Sequence, residues 1–245
     1  MNIGSLIRTG LTASAIATAA LLGTVATAEA VEVTVTIDNL APEEGLVLTP
    51  LWVGFHEGDY DLYEPGLAAS EGLELIAEDG DAMVLRESFA DGGTDRVDGV
   101  ITGDGIGPNS PPLIAPGSSA TLTFEVDESN PYFSYASMIL PSNDGFIGNE
   151  SGTSYRIFDA NGDFIGTEFI VIGSQIQDAG TEVNDESPNS VPLLGMAHNV
   201  GPSENGTVAA HPGFSVGGNV LTAFPGADFT QALYPVARIR VELAE

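Results

Sequence analysis

The stretch 130–149, NPYFSYASMILPSNDGFIGN, decides the fold. Its first part, 132–140, contains aromatic, β-branched and small residues and no charge, which predicts a buried β-strand. Pro141 cannot donate a backbone hydrogen bond to a sheet, so strand pairing is expected to end there. The turn formers that follow include Asp144. The sequence therefore predicts a rigid sheet that presents a carboxylate at the end of a strand.

Three segments resemble the spondin domain, the N-terminal module of F-spondin, mindin and many bacterial secreted proteins. They are SYASMILPSNDGFIGN at 134–149, QDAGTEVND at 177–185 and the segment 49–81, and they follow the family's order. The resemblance extends roughly over 31–243. It implies an all-β fold, a C2-like antiparallel β-sandwich with one or two short helices and long loops. It also implies calcium binding in an extracellular setting and no known catalytic activity.

The resemblance further implies three ligands for calcium. Asp144 matches the aspartate of the family's proline-serine-x-aspartate loop, Asp178 the aspartate that opens the DAGT segment, and Glu182 the acidic residue that closes it. Animal members have an aspartate at the last position, so the longer Glu182 is expected to bind differently or through water. If the strands that lead into the two loops are neighbours running in the same sense, or face each other across the sandwich, the three carboxylates converge.

Convergence of these carboxylates favours a divalent cation. Two carboxylates about 4 Å apart repel each other by about 1 to 4 kcal/mol near a protein surface. A hard cation relieves this repulsion, and flexible loops with carboxylate and carbonyl oxygens suit Ca²⁺ better than Mg²⁺, which requires a small, strict octahedron.

The charge balance restricts the partners. The 245 residues include 35 acidic residues, six arginines and no lysine, and the formal net charge is −29. Such a surface repels nucleic acid and anionic membranes and attracts cations. Most of these carboxylates are expected to serve solubility, in a medium salty enough to screen their repulsion.

Residues 1–30 are predicted to be a secretory signal peptide that is cleaved after Ala30, and 31–245 a single spondin domain. The apolar run is short for a membrane span, so no membrane segment is expected in the mature chain. The chain contains no cysteine, which excludes disulfides and thiolate zinc sites. We expect a secreted protein, either extracellular or periplasmic.

Apolar periodicity predicts further elements around the central strand. We expect 91–117 to be a long loop and the turn DANGD at 159–163 to close a tight hairpin. An EF-hand at this turn is rejected because Ile170 occupies the position of the bidentate carboxylate. The expected strands lie at 31–37, 46–55, 120–126, 155–158, 164–176 and 237–243, and the expected helices begin at Ser70 and Asp81.

Three other patterns have alternative interpretations. His56 and the acidic residues after it suggest a metal or catalytic site, but a solvated loop is favoured, and His56 is alternatively a hydrogen-bonded polar residue near the sandwich edge. His198 and His211 suggest a zinc site, but scattered surface histidines are favoured. The segment 213–217, GFSVG, matches the serine hydrolase pattern but lacks the strand and helix that this motif needs.

Three classes of function follow. The leading one is a secreted calcium-binding adhesion or extracellular-matrix module with a glycan or protein partner. The second is a structural envelope or surface-layer protein. An enzyme that acts on polysaccharides through paired carboxylates is the least favoured, because one tryptophan and six tyrosines supply little surface for stacking sugars.

Overall fold

The structure is a computed structural model that describes Met1 and residues 29–195 and 201–245. Most of the predicted signal peptide, 2–28, lies outside the described residues, as does His198. The strands are β1 (Val31–Asn39), β2 (Val47–Leu48), β3 (Leu51–His56), β4 (Val97–Ile101), β5 (Ser119–Val126), β6 (Tyr132–Leu140), β7 (Gly145–Gly148), β8 (Tyr155–Arg156), β9 (Thr167–Ile172), β10 (Gln177–Asp178), β11 (Ala209–Ala210) and β12 (Pro235–Leu243). The helices are α1 (Glu71–Asp79), α2 (Met83–Asp91) and α3 (Asn219–Ala223).

The strands form two antiparallel sheets, which confirms the predicted all-β sandwich. The smaller sheet has the order β5-β1-β12-β9. The larger sheet has the order β11-β10-β7-β6-β3-β4, and β2 and β8 also pair with β6. The predicted central strand is therefore an interior strand of the larger sheet, which explains why it carries no charge.

The core lies between the two sheets, and a second apolar layer lies under the helices. In β1, Val33, Val35 and Ile37 alternate with exposed or half-buried polar residues and point into the sandwich. The opposite face of the larger sheet is covered by α1 and α2, whose Leu73 and Phe89 pack in a cluster with residues of β3, β6 and β7. β6 is thus buried on both faces.

The first helix is positioned by its caps. Ser70 Oγ accepts a hydrogen bond from the Leu73 amide at 3.2 Å, as the sequence predicts. Gly80 ends the helix with φ of 68°, in the left-handed region, and a Cβ there would lie 2.6 Å from Thr49. These contacts hold the C-terminal turn of α1 against the larger sheet.

Two local predictions were wrong. The predicted strand 46–55 is divided into β2 and β3, with Pro50 between them. The predicted loop 91–117 contains β4, which pairs with β3. A short strand with one interior glycine is difficult to recognise from sequence when it is surrounded by turn residues, because its signal comes mainly from its pairing partner.

The predicted hairpin around 159–163 is only partly correct. The turn closes through a hydrogen bond from the Asp159 amide to the Asp163 carbonyl at 2.9 Å and through a bridge between Phe158 and Phe164. However, β8 pairs with β6 and β9 pairs with β12, so the turn joins the two sheets. The strand predicted to continue to residue 176 ends at Ile172, before a 3₁₀ turn that leads into β10.

Candidate metal centre

The pairing of β7 with β10 brings the two acidic loops together. Asp178 lies opposite Gly145 in this antiparallel ladder, and the Ala179 amide donates to the Asp144 carbonyl at 3.1 Å. The arrangement differs from the two that the sequence suggested. The strand that leads into Asp178, β10, runs in the same sense as β6 but is not its neighbour, because β7 lies between them and pairs antiparallel with both.

Asp144 is fully buried, and its two carboxylate oxygens have different surroundings. Oδ2 accepts hydrogen bonds from the Thr181 amide at 2.7 Å, the Thr181 hydroxyl at 3.2 Å and the Glu182 amide at 3.1 Å. Oδ1 is buried without a hydrogen-bond partner among the described atoms. Burial, and secondly the charge of Asp178, raise the pKa of Asp144 to about 6.

Asp178 and Glu182 are also buried, and their carboxylates accept hydrogen bonds from other partners. Asp178 Oδ1 accepts from the Gly180 amide at 2.8 Å, and its Oδ2 accepts from the Asn184 side chain. Glu182 Oε1 accepts from the Gly201 amide at 2.6 Å. Burial raises the pKa of Glu182, and the charge of Asp144 contributes to the same shift.

A fourth carboxylate, Glu78, joins this group and was missed in the sequence. It is 4% exposed, in the last turn of α1. Burial raises the pKa of Glu78 to about 7, and the charges of Glu182, Glu74 and Asp144 add to this shift. A hydrogen bond with Thr181 opposes the shift. No local signal marks this residue, because only the docking of α1 against β6 and β7 buries it. We call Glu78, Asp144, Asp178 and Glu182 the carboxylate cluster.

The cluster satisfies only part of the requirements for a calcium site. Across residues 29–195 and 201–245, no group of three or more histidine, aspartate or glutamate side chains is arranged to hold a metal ion. Asp144 and Asp178 supply hard oxygen donors, and the unpaired Asp144 Oδ1 is the kind of buried atom that a cation satisfies. Glu182 is instead directed to the Gly201 amide. The unpaired Asp144 Oδ1, with the charge of Asp178 near it, is therefore the part of the cluster to which the ion-site hypothesis applies.

His56 belongs to the core rather than to a second site. It is fully buried, with Nε2 2.9 Å from Ser134 Oγ, and Nδ1 accepts from the Gly58 amide at 3.1 Å. Burial lowers the pKa of His56 to about 4, so the ring is neutral at physiological pH. The nearby Asp59 pairs with Arg96 at 2.7 Å. Both ring nitrogens are engaged within the fold, which favours a structural role.

The prediction that His211 is a surface residue was wrong. The side chain is buried, and Nδ1 accepts from the Gly213 amide at 3.0 Å. Burial lowers the pKa of His211 to about 4, while the negative charges of Asp178 and Glu186 oppose this shift. Among the described atoms, His211 makes no hydrogen bond to Ser215, which lies in an exposed loop. Among the described residues, His211 therefore does not act as the base that a Ser215 nucleophile needs.

The comparison with known families agrees with this fold. The Spondin_N family model matches residues 42–189, which is more than half of the chain and includes the carboxylate cluster. No curated protein sequence matches the chain. Spondin domains are non-catalytic modules of extracellular-matrix type and are typically extracellular. Among the described residues, no helix has the length and apolar character to cross a membrane.

Proposed function

We propose that this chain, which belongs to the spondin domain family, is a secreted calcium-binding module whose ion is held by Asp144, Asp178 and Glu182. The observation that carries the proposal is the state of Asp144 Oδ1. This oxygen is buried without a hydrogen-bond partner, and it lies in a cluster of carboxylates that repel one another. A buried charge without a partner is costly, and a divalent cation removes that cost.

The protein's own residues prepare the site. Asp144 Oδ2 fixes the backbone of the DAGTE loop through the amides of Thr181 and Glu182, which leaves Oδ1 for the ion. Asp178 is held beside it by the Gly180 amide. Bound calcium supplies positive charge that offsets the repulsion within the cluster. The two loops are then tied together at one end of the larger sheet.

We assign the module a role in adhesion or in an extracellular matrix, with a glycan or a protein as its partner. Loops that are already ordered lose less conformational entropy when they bind a partner. The family's extracellular character supports this role. The net charge of −29 argues against nucleic acid as the partner.

Thermal unfolding with calcium or with a chelator tests the ion site. We expect Ca²⁺ at about 100 times its dissociation constant to raise the free energy of unfolding by about 2.7 kcal/mol, or the melting temperature by roughly 5 to 10 °C. Calorimetric titration should show one site per chain. Asp144→Asn should abolish both effects, because it removes the charge. It retains one oxygen for the loop amides, so the loop itself should be preserved.

Diffuse attraction of calcium to an acidic surface must be separated from a specific site. Titration at roughly 0.5 M salt screens such attraction beyond about 5 Å, and Asp159→Asn removes a carboxylate in a surface turn elsewhere as a matched control. Equal melting curves with calcium and with chelator would count against the proposal. So would an equal calcium response in wild type and Asp144→Asn.

A further inference from the structure

A cleft of about 470 Å³ lies beside the C-terminal end of α1. Its apolar wall is formed by Leu113, Met138, Leu140 and Leu193. Four prolines also line it: Pro50, Pro111, Pro112 and Pro192. Because proline restricts the backbone, these segments are stiff and the cleft is largely preformed. Its volume is in the range of ligand sites in proteins.

The opposite wall of the cleft is acidic. Glu78, Asp79 and Asp81 line it, and no lysine or arginine does so in the described part of the chain. The last turn of α1 carries no basic residue, so the negative end of the helix dipole adds to these charges. An apolar surface facing three carboxylates is complementary to a ligand with an apolar body and a cationic end.

Leu193 has an unusual backbone conformation at this cleft. Its φ is 69°, in the left-handed region that residues with a Cβ seldom adopt. Its half-buried side chain packs against the small cluster that contains Met138 and Leu140. A strained backbone at a pocket wall is often associated with function. The strain here holds a leucine side chain where a ligand would contact it.

A second cleft, of about 560 Å³, adjoins the first. The two share Pro50, Gly80 and Asp81. In the second cleft the one basic residue, Arg86, pairs with Asp98 at 2.7 Å. Two clefts joined across a single turn suit an extended chain better than a compact small molecule. Anionic polymers are disfavoured because they would face the same carboxylates.

We propose that the two clefts bind an extended segment of a partner protein in which an arginine or lysine lies next to apolar side chains. The apolar side chains contact Met138, Leu140 and Leu193, and the cationic group faces the exposed carboxylate of Asp81. This inference does not depend on calcium, since it requires only the cleft and its acidic wall. It goes beyond the proposed function by giving the chemistry of one partner.

A labelled peptide of alternating leucine and arginine is a direct probe. We expect saturable binding with a dissociation constant below about 1 mM in fluorescence anisotropy, measured in chelator. Replacing arginine by citrulline, or leucine by alanine, should each weaken binding at least about tenfold, which corresponds to about 1.4 kcal/mol. Loss of affinity with only one of the two peptides would overturn the two-part recognition.

Three protein variants test the location. Asp81→Asn should weaken peptide binding several-fold and keep its hydrogen bond to the Met83 amide, which is 2.8 Å long. Leu193→Gly should also weaken binding, while glycine relieves the positive φ and preserves the fold. Glu242→Gln changes the net charge equally on the smaller sheet and should bind as wild type does.

The outcomes separate this inference from the calcium proposal. Equal weakening by Asp81→Asn and Glu242→Gln would reveal diffuse charge attraction and overturn the assignment, as would the absence of binding at about 1 mM peptide. Asp81→Asn should retain the full calcium-induced rise in melting temperature. Peptide binding without a calcium response would therefore support the cleft alone, and the reverse result would support the ion site alone.

Discussion

Two acidic turns in this protein contain similar residues but have opposite electrostatics. Asp159 is half-buried in a surface turn, and its carboxylate accepts hydrogen bonds from its own turn, from the Asn161 amide at 2.7 Å and the Asp163 amide at 3.1 Å. These bonds lower the pKa of Asp159. Asp144 is buried, and its carboxylate accepts hydrogen bonds from backbone amides of the distant segment 181–182. Burial raises the pKa of Asp144 to about 6.

The difference shows how a turn becomes a candidate site. Asp159 stabilises a local turn, and water solvates its charge at no great cost. Asp144 joins two chain segments where water is excluded, so its charge and its unpaired Oδ1 require another partner. An acidic turn therefore indicates an ion site when tertiary structure buries it beside other carboxylates. Exposed acidic turns of similar sequence do not.

The largest expected effect comes from removing each carboxylate with calcium present. Asp144→Ala should lower the free energy of unfolding by about 4 kcal/mol, because the bound ion and the hydrogen bonds to two amides are lost together. Asp159→Ala should leave the calcium response intact and cause a much smaller loss. Urea unfolding with calcium and with chelator measures both. Similar losses in the two variants would remove the distinction between the turns.

The second prediction concerns pH without calcium. The pKa values of Asp144 and Glu78 are about 6 and about 7 in the folded protein, against 3.8 and 4.5 ordinarily. These two groups make the folded state bind more protons than the unfolded state between about pH 4 and pH 7, so they lower stability as the pH rises through this window. The buried His56 and His211, whose pKa values are lowered from 6.5 to about 4, act in the opposite direction.

Denaturation in chelator at a series of pH values tests this slope. Relative to wild type, Asp144→Asn should lose its contribution to this fall in stability up to about pH 6, and Glu78→Gln should lose its contribution up to about pH 7. Asp159→Asn should not remove this fall in stability. The pKa of Asp159 is lowered in the folded protein, and a lowered carboxyl pKa makes stability rise with pH rather than fall. If neither Asp144→Asn nor Glu78→Gln differs from wild type in its pH dependence between about pH 4 and pH 7 in chelator, the carboxylates of the cluster do not repel one another.

The smallest expected effect concerns Glu182. Glu182→Gln retains an oxygen for the Gly201 amide, so the metal-free melting temperature should change little. Calcium affinity should fall by about tenfold, or about 1.4 kcal/mol, because one charge is lost from the ligand set. Asp163→Asn in the exposed turn is the matched control and should bind calcium unchanged. Calorimetric titration distinguishes them, and unchanged affinity in Glu182→Gln would exclude Glu182 as a ligand.

The sequence predicts best where one segment contains its own signal. β1, β5 and β12 alternate apolar and polar residues, and all three form as predicted. β6 is recognised by its lack of charge and ends at Leu140, as Pro141 requires. β4 was missed because its position depends on pairing with β3. Glu78 was missed because the docking of α1 buries it. Neither interaction can be recognised from the residues next to it in the sequence.

By itself, the sequence determined the sandwich, the family and the two loops that carry the candidate ligands, because strand periodicity and short motifs are local properties of the chain. Only the tertiary structure decided that β10 pairs with β7 and that α1 brings Glu78 to the same place. It also decided that one oxygen of Asp144 is left without a partner. Burial and charge proximity depend on segments far apart in the chain, so they arise only when the sheets and helices pack.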